Sequence, residues 1–428
     1  MLKILKKNIL LSSSSAYLIA NIVSALAPLA LIPILTQYLT PKEYGEASIF
    51  QTLISAFLAF IGLSTHLSAS RKYYENSSHN EIGRFNFSCL LVVTSTTLIA
   101  IFLLLTLQSK LSDSTGLSAQ WLLISILVAA STAFIQLRLS LWQVQKKALS
   151  YGALQISQSL ANLILSLLLV VVLSQGVDGR MSAHSITIFI ASAIALLLLK
   201  RDGILIPHKP NLHHIKDILA FGIPLIPHVG GIFLLTSADR LIISSRLGLA
   251  EAGIYMLAVQ ISSVVGLIFD AANKAYMPWL YEKLSKNTIS EKIKIVRINY
   301  TCYLVILSGA GIACFLAPWI INNLINKTYA QAGAVIGWLI IGQAFSGMYL
   351  LVANHIFYSK NTKVLSVVTI STGILHLTLL VLLINKLGVE GAAIAFCISM
   401  AIRFILTWTT AQIVHPMPWL KTPKNTTK

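Results

Sequence analysis

Charge is what this chain of 428 residues has least of. Asp, Glu, Lys and Arg make up 11% of it, where soluble domains carry about 25%. Within that share one sign is scarce: 14 acidic residues stand against 32 Lys and Arg. Paired cysteines are absent. Cys89, Cys302, Cys314 and Cys397 each sit alone in an apolar segment, which excludes the spacing of zinc and redox motifs and leaves small packing residues. Long polar loops are absent too. The largest polar stretches, 71–85, 200–217 and 278–295, do not exceed 18 residues, too few for a folded domain. No His-Asp constellation stands within the membrane and no sizeable external loop is present, which argues against an enzyme such as a membrane acyltransferase or polysaccharide polymerase. A cleavage site is also missing: Lys3, Lys6 and Lys7 precede an apolar run that continues to about Leu35, which reads as a retained first helix rather than a secretory signal.

What is present is apolar length. Hydrophobic residues make up 56% of the chain and mean hydropathy is +0.78, the composition of a polytopic membrane protein. A net charge of +18 would point a soluble domain toward nucleic acid, but here Lys and Arg are scattered through short loops and read as topogenic, with no nucleic-acid partner. Crossing a bilayer takes roughly 20 apolar residues. On that ruler the chain holds about twelve segments: 13–35, 44–69, 87–107, 119–142, 151–173 and 182–199, then 218–244, 252–276, 296–316, 332–357, 364–384 and 391–413. One set of loops collects most of the cations, Arg71, Lys72, Lys146, Lys147, Lys200 and Arg201 among them. The alternate set has only Lys42, Lys110, Arg180, Arg246, Lys327 and Lys386, plus Arg240 at a helix end. The positive-inside rule puts the rich side and both termini in the cytoplasm.

The chain also repeats itself. Leu39-Thr40-Pro41-Lys42-Glu43-Tyr44-Gly45, after the first segment, is answered 208 positions on by Leu247-Gly248-Leu249-Ala250-Glu251-Ala252-Gly253, after the seventh. Gly176-Val177-Asp178-Gly179 is answered 212 positions on by Gly388-Val389-Glu390-Gly391. Each pair alone is ordinary loop chemistry; two at nearly one offset, in matching loops, mark a duplication. Six helices per copy keep the orientation, so the copies are expected to be related by a pseudo-two-fold axis along the membrane normal. The expectation is an all-α integral membrane protein: an N-terminal six-helix bundle over 1–199, a flexible cytoplasmic linker over 200–217 and a C-terminal six-helix bundle over 218–428. Pro28 and Pro33 bend the first helix, and Pro224 and Pro227, with Gly222, Gly230 and Gly231, bend the seventh; these are hinge candidates. Bent helices heading two bundles describe a rocking transporter.

The runs ALIPILTQYLTPKEYGEASIF and ADRLIISSRLGLAEAGIYMLA and the loop LGVEGAAIA resemble the polysaccharide flippases of the Wzx type, in the superfamily that also holds MATE drug exporters and lipid II flippases. The resemblance extends over nearly the whole chain. It implies movement of an undecaprenyl-pyrophosphate-linked oligosaccharide, such as an O-antigen or capsular repeat unit of lipopolysaccharide or polysaccharide biosynthesis. The route is from the cytoplasmic to the periplasmic leaflet of the bacterial inner membrane. Partners are then the lipid-linked oligosaccharide, membrane lipids and other polysaccharide-assembly membrane proteins, with no cofactor and coupling to a proton or sodium gradient left open. The resemblance places the first, second, seventh and eighth helices at a cavity with a cationic lining. The alternative is a MATE-type cation-coupled drug antiporter, which favours an acidic cavity and is disfavoured by the shortage of acids.

Charges inside a bilayer cost several kcal/mol and are functional candidates by default. Arg403 lies deepest in its segment, with His376 and His228 at comparable depth; Arg138, Asp270 and Lys274 lie nearer the cytoplasmic end, and Asp239 and Arg240 near the external one. Arg240, Arg403, Arg138 and Lys274 are candidates for headgroup binding or gating, and Asp270, Asp239, His228 and His376 for ion coupling. Each has a plainer reading. Asp270 and Lys274, four apart, can neutralise each other; Arg138 can snorkel toward Lys146 and Lys147; Arg403 can tie helices together; Arg240 can pair with Asp239 or a loop carboxylate. His208, His213 and His214 have no Cys or acidic set beside them except Asp217, and read as linker polarity rather than a metal site.

Overall fold

A computed structural model of the chain describes residues 20–24, 26–75, 78–359 and 362–419. The N-terminal lysines therefore lie outside the described residues. Those described contain helices and turns and no strand. In order these are α1 (Ala20–Tyr38), α2 (Pro41–Gly62), α3 (Thr65–Tyr74), α4 (His79–Thr115), α5 (Ala119–Val144), α6 (Ala148–Ser166, continued by a π turn Leu167–Val172) and α7 (Gly176–Arg201). Then come α8 (Leu212–Gly222), a 3₁₀ turn (Ile223–Leu225), α9 (Ile226–Thr236), α10 (Ala238–Leu247), α11 (Leu249–Ser285), α12 (Ile289–Leu324), α13 (Ala332–Tyr358) and α14 (Thr362–Val414).

Eleven of the described helices are long and apolar enough to cross a membrane, counting α8 and α9 together. The last, α14, runs 53 residues, twice a bilayer's need, and is broken at Gly388, whose φ of 58° and ψ of −138° only glycine adopts easily. Divided there, the described residues hold twelve helices long and apolar enough to cross, the number the apolar segments imply. Gly176, the repeat partner of Gly388, is also left-handed, at φ 54°. The two copies thus share a positive φ as well as a residue. The other marker works through packing. Thr40 caps α2 in a reciprocal box, its hydroxyl accepting from Glu43 N (3.3 Å) while Glu43 accepts from Thr40 N (2.8 Å), with Pro41 at the first helical position. This fixes the first turn of α2 against the first turn of α11, where a Cβ on Gly45 would strike the Leu249 carbonyl and one on Gly253 the Pro41 carbonyl.

The chain forms two compact units, one of residues 1–233 and 240–253, the other of 234–239 and 254–428. The first has its core where α2, α5 and α7 meet, around Ile49, Phe50, Leu122, Ile126 and Ala195. Long stretches of α4 and α12 expose Leu98, Phe102 and Leu105, and Leu304, Phe315 and Trp319. Such faces suit lipid rather than water.

The stretch 200–217 is not the free connector its polarity implies. Ile206 N donates to Gly83 O (3.1 Å), Asn86 Nδ2 to Ile204 O (2.9 Å), and His214 Nε2 lies 2.9 Å from Glu81 Oε1. Arg71 Nη2 holds both oxygens of Asp217 (2.6 and 2.7 Å), which raises the Arg71 pKa. Ile204 and Ile218 are buried with Phe85 and Leu137. A segment with apolar anchors and backbone hydrogen bonds at one helix face is strapped to it, whatever its average polarity.

Candidate functional site

The helix break between α9 and α10 falls at Ser237, so Asp239 stands in the first turn of α10. Asp239 is 2% exposed and accepts a hydrogen bond from Tyr255 Oη at 2.6 Å. A cavity of about 80 Å³ in the second unit opens beside it, lined by Asp239, Tyr255, Gln343, Ser346, Phe396 and Arg403. That is room for several water molecules, not for a sugar. Arg403 stacks its guanidinium 3.8 Å from the centre of the Tyr349 ring, a cation–π contact that offsets part of the desolvation. His376, fully buried, lies edge-on to Phe396 at 6.2 Å and 3.3 Å from the Ser399 hydroxyl. Three candidates from separate helices, Asp239, His376 and Arg403, are thus gathered around one phenylalanine.

The remaining candidates stand elsewhere. Arg138, 1% exposed, is ion-paired with Asp202 and stacked 4.1 Å over Trp142. It is locked inward rather than snorkelling outward. Lys274 and Asp270 pair with each other at 2.6 Å, both about half exposed. Arg240 is buried in the first unit, on α10. His228 is half-buried on α9. Pro224 lies within the 3₁₀ turn between α8 and α9 and Pro227 in the first turn of α9, where the backbone stays helical but its hydrogen bonding tightens; α1 continues through Pro28 and Pro33. Among the described residues no group of three or more His, Cys, Asp or Glu is arranged to hold a metal.

The first unit holds a larger cavity of about 690 Å³, at the Ala119 end of α5 and the Gly176 end of α7. Glu46, Gln120, Trp121, Asp178, Ser182 and Phe189 line it, and Trp121 Nε1 donates to Asp178 Oδ1 at 2.9 Å. Sequence reading passed over most of this cavity, as it did Arg180. A sixth segment starting at Ser182 puts Arg180 in a loop, whereas α7 begins at Gly176 and carries Arg180 in its second turn. The spacing Arg180–His184 on α7, with Asn162–Ser166 on α6, was the available signal: polar pairs four apart on otherwise apolar helices share a face.

Known proteins agree with this architecture. The family described as "Polysaccharide biosynthesis protein" matches over residues 10–284. An uncharacterized membrane protein of Haemophilus influenzae is 26% identical over 378 residues, 86% of this chain and 89% of that one. The capsular polysaccharide biosynthesis protein CapF of Staphylococcus aureus is 22% identical over 404 residues, 90% of this chain and 95% of that one. Among solved structures, the lipid II flippase MurJ in its inward closed conformation superposes with a TM-score of 0.75 at 14% identity, covering 94% of this chain and 87% of MurJ. An inward-facing MATE family multidrug transporter of the MOP superfamily gives 0.74 at 15% identity, covering 91% and 94%. At these identities the structures establish a shared fold.

Proposed function

The chain belongs to the polysaccharide biosynthesis protein family, and on that footing we propose that it flips an undecaprenyl-pyrophosphate-linked oligosaccharide, an O-antigen or capsular repeat unit, from the cytoplasmic to the periplasmic leaflet. The bacterial inner membrane is its site, both termini are cytoplasmic, and alternating access of two helical bundles is its mechanism. The observation that carries this reading is Arg403: a guanidinium at a membrane-embedded cavity, stacked on Tyr349, suits an anionic headgroup. Arg240, buried on α10, is the second headgroup or gate candidate. Asp239, which lines that cavity, and His376, which packs on its Phe396, are the candidates for ion coupling. The fold shared with MurJ supports a lipid-linked cargo.

A second reading, a cation-coupled small-molecule antiporter, draws on the carboxylates Glu46 and Asp178 in the larger cavity. One experiment separates the two. Deletion of the gene should leave undecaprenyl-linked repeat units on the cytoplasmic leaflet and deplete surface polysaccharide; normal delivery to the periplasm would sink the flippase reading. Arg403→Ala and Arg240→Ala should each reduce surface polysaccharide while the protein still inserts, read by immunoblot and lipid extraction. Normal polysaccharide from both variants would remove these residues from the site.

A further inference from the structure

Arg180 is 8% exposed, in a helix that crosses the membrane. All 14 acidic residues of the chain are among those described, and none forms an ion pair with it. Its partners are neutral. Nη1 donates to Asn162 Oδ1 at 2.7 Å and to Ser166 Oγ at 2.9 Å, which uses both of its hydrogens. The Nε and Nη2 edge of the fork, which can grip two oxygens of a phosphate at once, meets no acceptor among the described residues.

The neighbours make the site one-sided. Ser166 Oγ donates to Asn162 Oδ1 at 3.1 Å, so that oxygen is already shared by two donors. With its oxygen committed, Asn162 can offer His184 only its Nδ2 hydrogens. His184 Nδ1, 3.1 Å away, must therefore accept, and the neutral imidazole carries its proton on Nε2. What the cluster has left to offer is a guanidinium edge and an imidazole N–H, both donors. Immediately after Ser166 the backbone opens into the π turn Leu167–Val172, closed by Leu173 N to Leu168 O at 2.9 Å; such turns are rare and recur at functional sites. Arg180 stands four residues into α7, about 6 Å from its start. It therefore lies toward one end of a helix long enough to cross the bilayer, away from its middle.

We propose that Arg180 and His184, positioned by Asn162 and Ser166, bind the phosphoryl group of a lipid headgroup. That this lipid is the pyrophosphate-linked carrier rests on the function proposed above. A buried cation without a counter-ion is costly to keep, and an anion from the ligand supplies the missing charge.

The test uses the full-length protein in a phosphate-free maltoside detergent. Phenylglyoxal modification of Arg180, followed by mass spectrometry of its peptide, is measured with farnesyl pyrophosphate, inorganic pyrophosphate or phosphatidylglycerol present. Either pyrophosphate should slow modification at Arg180 at least threefold. Arg180→Gln should weaken farnesyl pyrophosphate binding at least tenfold, with Arg180→Lys between the two because it keeps the charge and loses the fork. Absence of protection at Arg180 in the wild-type protein overturns the site even if the variants fail to fold. Equal protection by phosphatidylglycerol overturns the assignment to the carrier in favour of a phospholipid. None of these readouts involves transport, so a chain that moved some other cargo would still protect Arg180, and failure here would leave the deletion phenotype standing.

Discussion

Arg138 and Arg180 are both nearly inaccessible arginines, and both are tied to α7, at opposite ends of it. Arg180 stands near its start, and Asp202, the partner of Arg138, stands just past its end, roughly 33 Å further along. One cation has its charge balanced, although its Nε and Nη1 are buried without hydrogen-bond partners. Arg138 has a carboxylate, an indole face and a place in the packing beside Leu137 and Leu141. The other has two neutral oxygens and no counter-charge. Burial alone therefore does not separate a structural charge from a functional one; the balance of charge around it does.

Replacing each arginine by Met tests that contrast most strongly. Arg138→Met should destabilise the protein by about 2–3 kcal/mol, because it removes the nearest partner of Asp202 and leaves that half-buried acid only Lys147, 3.9 Å away. Arg180→Met should stay within about 1 kcal/mol of the wild type, since it removes an uncompensated charge and leaves Ser166 and Asn162 bonded to each other. Thermal unfolding in detergent reads both. Equal costs at the two sites would show that Arg180 is as structurally committed as Arg138.

A middle-sized effect is expected where the repeat markers meet. At Gly45 and Gly253 the atoms an added Cβ would strike are backbone, which cannot rotate away, whereas nothing lies near a Cβ at Gly230. Gly45→Ala and Gly253→Ala should each cost about 1–3 kcal/mol. Gly230→Ala should cost nothing or add a few tenths through the unfolded state. Similar unfolding temperatures for all three would mean that the first turns of α2 and α11 part easily.

How far these features could be read from the chain depends on how local their causes are. Helices of twenty or more apolar residues declare themselves, and even the break at Gly388 shows as a GVEG loop between two runs. The duplication was visible as spaced residues, but not that Gly45 and Gly253 press against each other's helices, since contact between copies leaves no trace in one sequence. The strapping of 200–217 was hidden in the same way. Its anchors Ile204 and Ile206 sit among polar residues, and the groups they meet on α4 are more than a hundred positions away. The gathering of Asp239 with Arg403 joins residues separated by most of the second half. Arg180 escaped for a different reason: a helix beginning with Gly-Val-Asp-Gly looks like a loop, although Asp178 in its first turn is where a helix dipole favours an acid.

The smallest effect is expected at Asp270 and Lys274, the opposite of Arg180 in being exposed and mutually neutralised. They pair at 2.6 Å one turn apart on α11, with the acid N-terminal to the base, the favourable order for a helix. At about half exposure, solvent and headgroups screen the pair, and Asp270→Ala or Lys274→Ala should change stability by no more than about 0.5 kcal/mol. Function discriminates further. If the pair only cancels itself, the double variant should deliver as much surface polysaccharide as the wild type, and each single variant, which leaves one charge unpaired on a spanning helix, should deliver less. Were Lys274 to hold the cargo directly, the double variant would be as impaired as Lys274→Ala, and restoring Asp270 would make no difference.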